Sequence, residues 1–274
     1  MCAVQNGAMT TTDAARPAPS FHDAAPMSDD RTAAWAYFRE PGDVYERDGT
    51  WYLTSHEAVR FAHQHPEVFS SARAFDELGS PVPLIPIAID QPDHVRYRRL
   101  LDPMFAPRVI NDIEGELRRQ VREIISAFAG SGRCDAIADL GALYPTQVIL
   151  TMFGLPLDDR DQFIEWSKTI VEVSGGGSEI TPERAESAMA LFVYLQDYIT
   201  KKRAEPGTDS LSTILALGGD DAWRDDEVLG MCFLFVLAGL DTVTASLDCF
   251  FGYLSEHPEQ RRALAEDPLS LIHI

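Results

Sequence analysis

The stretch Gly230-Met-Cys-Phe-Leu-Phe-Val-Leu-Ala238-Gly239-Leu240 carries no charge and runs straight into Asp241-Thr242-Val243-Thr244-Ala245-Ser246-Leu247. From Met231 to Leu237 it is apolar on every side, which predicts a helix buried all round. A chain holding such an element must supply other helices to wrap it. The uninterrupted run is well short of the ~20 residues that span a bilayer, so no membrane is predicted as a partner. Gly239 costs about 1 kcal/mol of helix stability relative to Ala, yet it lets something flat approach the backbone. A buried carboxylate at Asp241 needs a partner, a water or a raised pKa, because leaving it charged and unpaired is expensive. Thr242 can bond back to the carbonyl of Ala238, loosening the turn and leaving room for a small ligand. The alternative is structural: Asp241 pairs with a neighbouring helix, and the threonines fill space.

Composition supports a wrapped core. The 274 residues are 45% hydrophobic, enough to bury a sizeable interior. Against 23 Lys+Arg stand 43 Asp+Glu, a net charge of −20. So acidic a surface repels phosphate backbones, and nucleic acid is excluded as a partner along with an anionic membrane. Cys2, Cys134, Cys232 and Cys249 form no C-x-x-C pair, which argues against a disulfide framework. The N-terminus has neither a basic start nor an apolar stretch, so no signal peptide is expected and a cytoplasmic location is.

Residues 1–27, rich in Ala, Thr, Pro and Asp, are expected to form a disordered tail. Ser28 can cap a short helix through Phe38. A hairpin follows, Val44 to Leu53, with Asp48-Gly49 suited to a type I′ turn. Thr54-Ser55-His56-Glu57 reads as a capping box opening a helix that Pro66 ends. The stretch 72–89 reads as a loop. Beyond Pro92 the periodicity is helical nearly throughout, over 93–101, 114–129, 140–153, 159–173, 182–203 and 224–255, with a last helix after Pro258. The predicted fold is mainly α with a small β element near the N-terminus.

Asp90-Gln-Pro-Asp-His94-Val-Arg96-Tyr-Arg98-Arg99 is the second segment with chemical content. His94 and Arg98, spaced i and i+4, project from one helix face and make a donor pair for carboxylates. A solvated basic helix is the plainer reading. His56, His63 and His65 lack the companions a metal site requires. Gly175-Gly-Gly177-Ser178 lacks the strand and lysine of a phosphate loop.

These two segments, in this order and separation, resemble the cytochrome P-450 family of haem-thiolate monooxygenases in its soluble bacterial branch. Gly49-Thr-Trp-Tyr-Leu-Thr with His65-Pro-Glu-Val-Phe69, Asp102-Pro-Met-Phe105-Ala-Pro-Arg108, Pro206-Gly-Thr-Asp209-Ser-Leu and His257-Pro-Glu-Gln260 are similar to recurring joints of that family. The resemblance implies a cytochrome P-450-like fold and a haem b cofactor (iron protoporphyrin IX) in the complete protein. It implies that His94 and Arg98 bind the propionates, and that Ala238 and Gly239 lie against the distal face of the ring. Thr242 would then steady the oxygen bound there, with Asp241 relaying protons. It implies O2, a small hydrophobic substrate and a ferredoxin-type electron donor with its reductase, Arg96 and Arg99 being placed to dock the donor. Phe75, Leu78, Val82, Ile85, Trp166, Ile170 and Val173 are candidate substrate contacts.

The family's axial ligand is a cysteine in an F-x-x-G-x-x-x-C loop, and no cysteine here has that context. Residues 28–268 are therefore expected to be the N-terminal portion of one such domain, incomplete and inactive alone, with 269–274 foreign to the family. The rival reading is a non-catalytic helical protein that binds an apolar ligand.

Overall fold

The computed structural model describes residues 30–74, 80, 82–171 and 181–267. The tail 1–27, the closing 269–274, the glycine run at 175–177, and Phe75, Leu78 and Val173 lie outside them. The described residues divide into two compact units, one up to residue 69 and the other from residue 70 onward.

In the first unit, helix α1 (Arg31–Arg39) starts at Asp30, whose Oδ1 accepts the N–H groups of Thr32 at 2.9 Å and Ala33 at 3.1 Å. The cap is Asp30 rather than Ser28. A carboxylate there also complements the positive end of the helix dipole. Strands β1 (Val44–Arg47) and β2 (Thr50–Leu53) pair antiparallel, with Tyr45 opposite Tyr52. Their rings stack at 4.9 Å. Asp48 and Gly49 have φ of 53° and 80°, as a type I′ turn requires. Ser55 Oγ caps helix α2 (His56–Gln64) by accepting from the Ala58 N–H.

The second unit is helical. In order come α3 (Asp93–Leu101), α4 (Pro107–Ala129), α5 (Leu143–Phe153), α6 (Arg160–Val171), α7 (Pro182–Ala204), α8 (Ser210–Leu215), α9 (Asp225–Glu256) and α10 (Pro258–Glu266). Helix α9 is the axis of the core. Val228, Met231, Cys232, Phe233, Val236, Leu237 and Leu240 are buried on it, while Leu234 and Phe235 are half-buried. Ile149 and Phe153 of α5, Phe163 and Ile170 of α6, and Leu191, Phe192 and Leu195 of α7 belong to the same core. Phe192 and Phe233 stack at 4.1 Å. Burying each such side chain stabilises the fold by about 1.5–3 kcal/mol. By length and composition α9 is apolar enough to cross a bilayer. Its packing against α5, α6 and α7 makes it the core helix of this unit instead.

Candidate functional site

Past Leu240 the wrapping of α9 thins, although Leu254 is buried again near its end. Asp241, Thr242, Val243, Ala245, Ser246, Asp248 and Cys249 are all exposed. The expectation of a buried Asp241 is thus corrected: α5, α6 and α7 cover the helix only along its first half, and the carboxylate meets solvent. Ala238, Thr242, Ala245 and Cys249 follow helical spacing along one exposed strip of small side chains. A flat ligand can lie against such a strip because nothing bulky projects from it.

Three hydroxyls on this stretch bond back one turn. Thr242 Oγ1 donates to the Ala238 carbonyl at 2.6 Å, Thr244 Oγ1 to Leu240 at 2.7 Å and Ser246 Oγ to Thr242 at 2.7 Å. With its proton committed to Ala238, the Thr242 oxygen turns lone pairs outward and acts as an acceptor toward the open side. Thr244 also lies 3.0 Å from the Gly141 carbonyl, tying α9 to the turn before α5.

Gly239 permits a close approach, but of a different neighbour. A Cβ there would stand 2.7 Å from Ile149 Cδ1, so the bare edge of the glycine seats α9 on α5. The Cβ side of Gly239 serves helix packing while the residue stays half-exposed, and the open strip begins at Ala238.

On α3, Tyr97 and Leu101 are buried, while His94 is half-buried and Arg98 exposed on the adjoining edge. His94 Nδ1 lies 3.4 Å from Gln91 Nε2, and Arg98 pairs with Asp102 at 3.0 Å. No hydrogen bond or ion pair joins them to the α9 strip among the described residues. What connects the two helices is a polar joint around Glu227, only 4% exposed in the first turn of α9. Its Oε1 accepts from the Tyr97 hydroxyl at 2.6 Å and from Arg224 Nη1 at 2.9 Å, with Arg96 Nη1 at 3.5 Å. Its Oε2 accepts the Arg224 N–H at 2.8 Å. Arg96 also donates to the Ala222 carbonyl at 2.8 Å, and Arg99 pairs with Asp221. Arg96 and Arg99, expected to dock an electron donor, therefore fasten α3 to the entry of α9. From Glu227 to Ala238 the α9 axis advances roughly 16 Å.

Burial works against ionisation of Glu227, but the Tyr97 hydroxyl, the Arg224 N–H and the two guanidinium charges outweigh it and hold the carboxyl below its usual range. Burial, then the hydrogen bond and charge of Glu227, push the Tyr97 phenol up to about 12. The joint is therefore bounded on both sides in pH. A lowered carboxyl stabilises the fold above its unfolded value near 4.3, and this is lost as pH falls through the lower folded value. A raised phenol stabilises below about 10, and this is lost as pH climbs toward 12. In urea titrations Tyr97→Phe is expected to lose less stability than the parent between pH 10 and 12. Equal losses would exclude Tyr97 from the alkaline limb.

A cavity of about 400 Å³ opens beside the strip, lined by Asp241, Thr244 and Leu240 of α9, Ser167 and Lys168 of α6, and Thr146 of α5 among others. His94 and Arg98 do not line it. Of the candidate substrate contacts, Ile85 and Ile170 are 1% exposed and belong to the core. Trp166 packs edge-on to Tyr194 on the outer side of α6. Val82 packs beside Gly230.

Cys232 is buried in the core, which pushes its thiol up to about 12, and Cys134 and Cys249 are exposed and separate. Among the described residues no group of three His, Cys, Asp or Glu side chains gathers to hold a metal.

No family model matches the chain. It is 31% identical over 228 residues to the vitamin D(3) 25-hydroxylase of Pseudonocardia autotrophica, covering 80% of this chain and 55% of that protein. It is 30% identical over 255 residues to the erythromycin C-12 hydroxylase of Saccharopolyspora erythraea, covering 90% of this chain and 64% of that protein. A solved structure of a P450 EryK mutant in complex with erythromycin B superposes with a TM-score of 0.73 at 27% identity, over 87% of this chain and 63% of that one. The chain thus spans between half and two thirds of the length of the relatives it matches.

Proposed function

We propose that this chain, which belongs to the cytochrome P450 family, forms the distal wall and propionate anchor of a bacterial haem-dependent monooxygenase. The observation carrying this is Thr242 Oγ1 held by the Ala238 carbonyl on an exposed strip of small side chains. A helix-filling threonine would sit inside the core, and a sensor for an apolar ligand has no use for an outward acceptor beside a carboxylate.

The residues present suit the rim and distal face of a haem. His94 and Arg98 offer charge-assisted donors to two propionates, and Arg98 is paired with an exposed Asp102. Ala238 leaves room for the ring plane, and Gly239 seats α9 so that Ala238 faces outward. Neither buried Cys232 nor exposed Cys134 and Cys249 has the sequence context of the axial thiolate. When bound, haem supplies the oxidising chemistry: O2, two electrons and two protons yield one hydroxylated C–H bond and one water.

The chain's own part is proton handling. Thr242, as acceptor, holds a proton-bearing ligand in register on the strip. Asp241, one residue earlier, turns toward the cavity shared with Lys168, Ser167 and Thr146, where water can reach it. Protons thus enter from the α6 side and arrive beside Thr242 without crossing the apolar core. The substrate is a small hydrophobic molecule. The electrons come from a ferredoxin-type donor with its reductase, in a soluble, cytoplasmic setting.

Titration of the chain with haemin tests the anchor. Arg98→Ala together with His94→Ala is expected to weaken binding by about tenfold or more. The chain alone should give no thiolate-type Soret band in its reduced carbon monoxide difference spectrum. Unchanged affinity in the double variant, or a thiolate band from these 274 residues, would contradict the assignment.

A further inference from the structure

The outer face of α7 carries a stripe that the core does not use. Glu186, Met189, Val193 and Asp197 fall three, seven and eleven residues along one side of the helix, opposite the buried Ala188, Leu191, Leu195 and Ile199. Met189 is 56% and Val193 52% exposed. With Trp166 of α6 and Tyr194 as a wall, they line a groove of about 620 Å³. The wall is rigid: Trp166 and Tyr194 meet edge-on at 5.6 Å, both rings pack on Phe163, and the Tyr194 hydroxyl donates to Asp159. Neither Glu186 nor Asp197 has an ion pair among the described residues. They stand at the two ends of the apolar stripe, roughly 16 Å apart along the axis.

We propose that this groove docks a basic amphipathic helix of a partner protein. The charge pattern selects that occupant. A second copy of the chain laid antiparallel would bring Glu186 against Asp197, and laid parallel would bring each carboxylate against itself, so self-association meets like charge at both ends. An anionic lipid surface meets the same repulsion. A helix with Lys or Arg at both ends of an eleven-residue span, and apolar residues three and seven positions after the first, answers both carboxylates and fills the floor between them. The net charge of −20 steers such a helix in. This surface is independent of the haem reading, since none of its residues belongs to the α9 strip or the α3 pair.

The test uses the intact chain and a synthetic helical Lys/Leu peptide with that spacing, against a scrambled peptide of equal composition. Binding is followed by calorimetry and by Trp166 fluorescence. The ordered peptide is expected to bind about tenfold or more tightly than the scrambled one. Glu186→Lys with Asp197→Lys should abolish that advantage and confer binding of a Glu/Leu peptide instead. Met189→Asp should weaken the Lys/Leu peptide comparably. All three positions are exposed, and far-UV circular dichroism verifies that the variants keep the fold. Trp166→Phe should bind with the same heat and without the fluorescence change. Equal affinity for ordered and scrambled peptides, or unchanged binding by the double Lys variant, would show only general attraction to an acidic surface and overturn the proposal. So would self-association abolished by Met189→Asp, or binding of phosphatidylglycerol vesicles in place of the peptide.

Discussion

Glu227→Ala is expected to destabilise the chain by about 3–5 kcal/mol, because it removes one member of a buried, charge-bearing network and leaves the others in place. Tyr97 would keep a buried hydroxyl without its acceptor, and the Arg96 guanidinium would lose its carboxylate while keeping the Ala222 carbonyl and the face of the Tyr97 ring. The Arg224 N–H at the start of α9 would lose its acceptor as well. Tyr97→Phe deletes a single hydroxyl and should lose only about 1–1.5 kcal/mol. The double variant should fall short of the sum, since both substitutions act on the same bond. Urea midpoints at constant slope measure all three. A Glu227→Ala loss no larger than that of Tyr97→Phe would mean that the joint does not hold α3 to α9.

Gly230→Ala should be comparably damaging for a steric reason. A Cβ at Gly230 would collide with the Pro83 carbonyl oxygen and stand 3.3 Å from Val82 Cγ2. The obstacle is backbone, which cannot rotate aside as a side-chain tip can. Relief requires displacing the segment that carries Leu84 and Ile85, which are 2% and 1% exposed. Overpacking of this kind costs about 3 kcal/mol. Gly252→Ala on the same helix is the control: its Cβ meets nothing within 4 Å, so the helix should gain up to about 1 kcal/mol. Thermal or urea unfolding of the pair should therefore shift in opposite directions. A neutral Gly230→Ala would mean that the 82–85 segment does not rest on α9.

Local signals were readable where one residue type has one use. Asp48-Gly49 predicted its turn, and the helix expected from 182 starts there, with Thr181 Oγ1 accepting from the Arg184 N–H. The helix at 93–101 and the bond from Thr242 to Ala238 were legible for the same reason, since each depends on neighbours within a turn. Other features had competing local readings. Pro107 opens α4 seven residues before the expected 114, a proline at the first helical position having been taken for part of a joint. The short α8 was missed although Asp209 caps it through the Ser212 N–H, because Pro206-Gly207 dominates the pattern there. The joint at Glu227 was not legible at all. Its partners on α3 lie 130 and 131 residues away, and no periodicity records which buried tyrosine a carboxylate will meet. Asp241 failed in the other direction. Its apolar neighbours imply burial, while exposure depends on where the surrounding helices happen to stop.

The boundary at Leu240 gives the longest helix two unequal ends. Its amides before that point lie under three other helices and can open only when the centre of the unit opens with them. Those after it have fewer ties, the Thr244 bond to Gly141 and the buried Leu254 among them, and should open at lower cost than the covered part. Hydrogen exchange should therefore be graded along one continuous rod, slow in its covered half and faster beyond it.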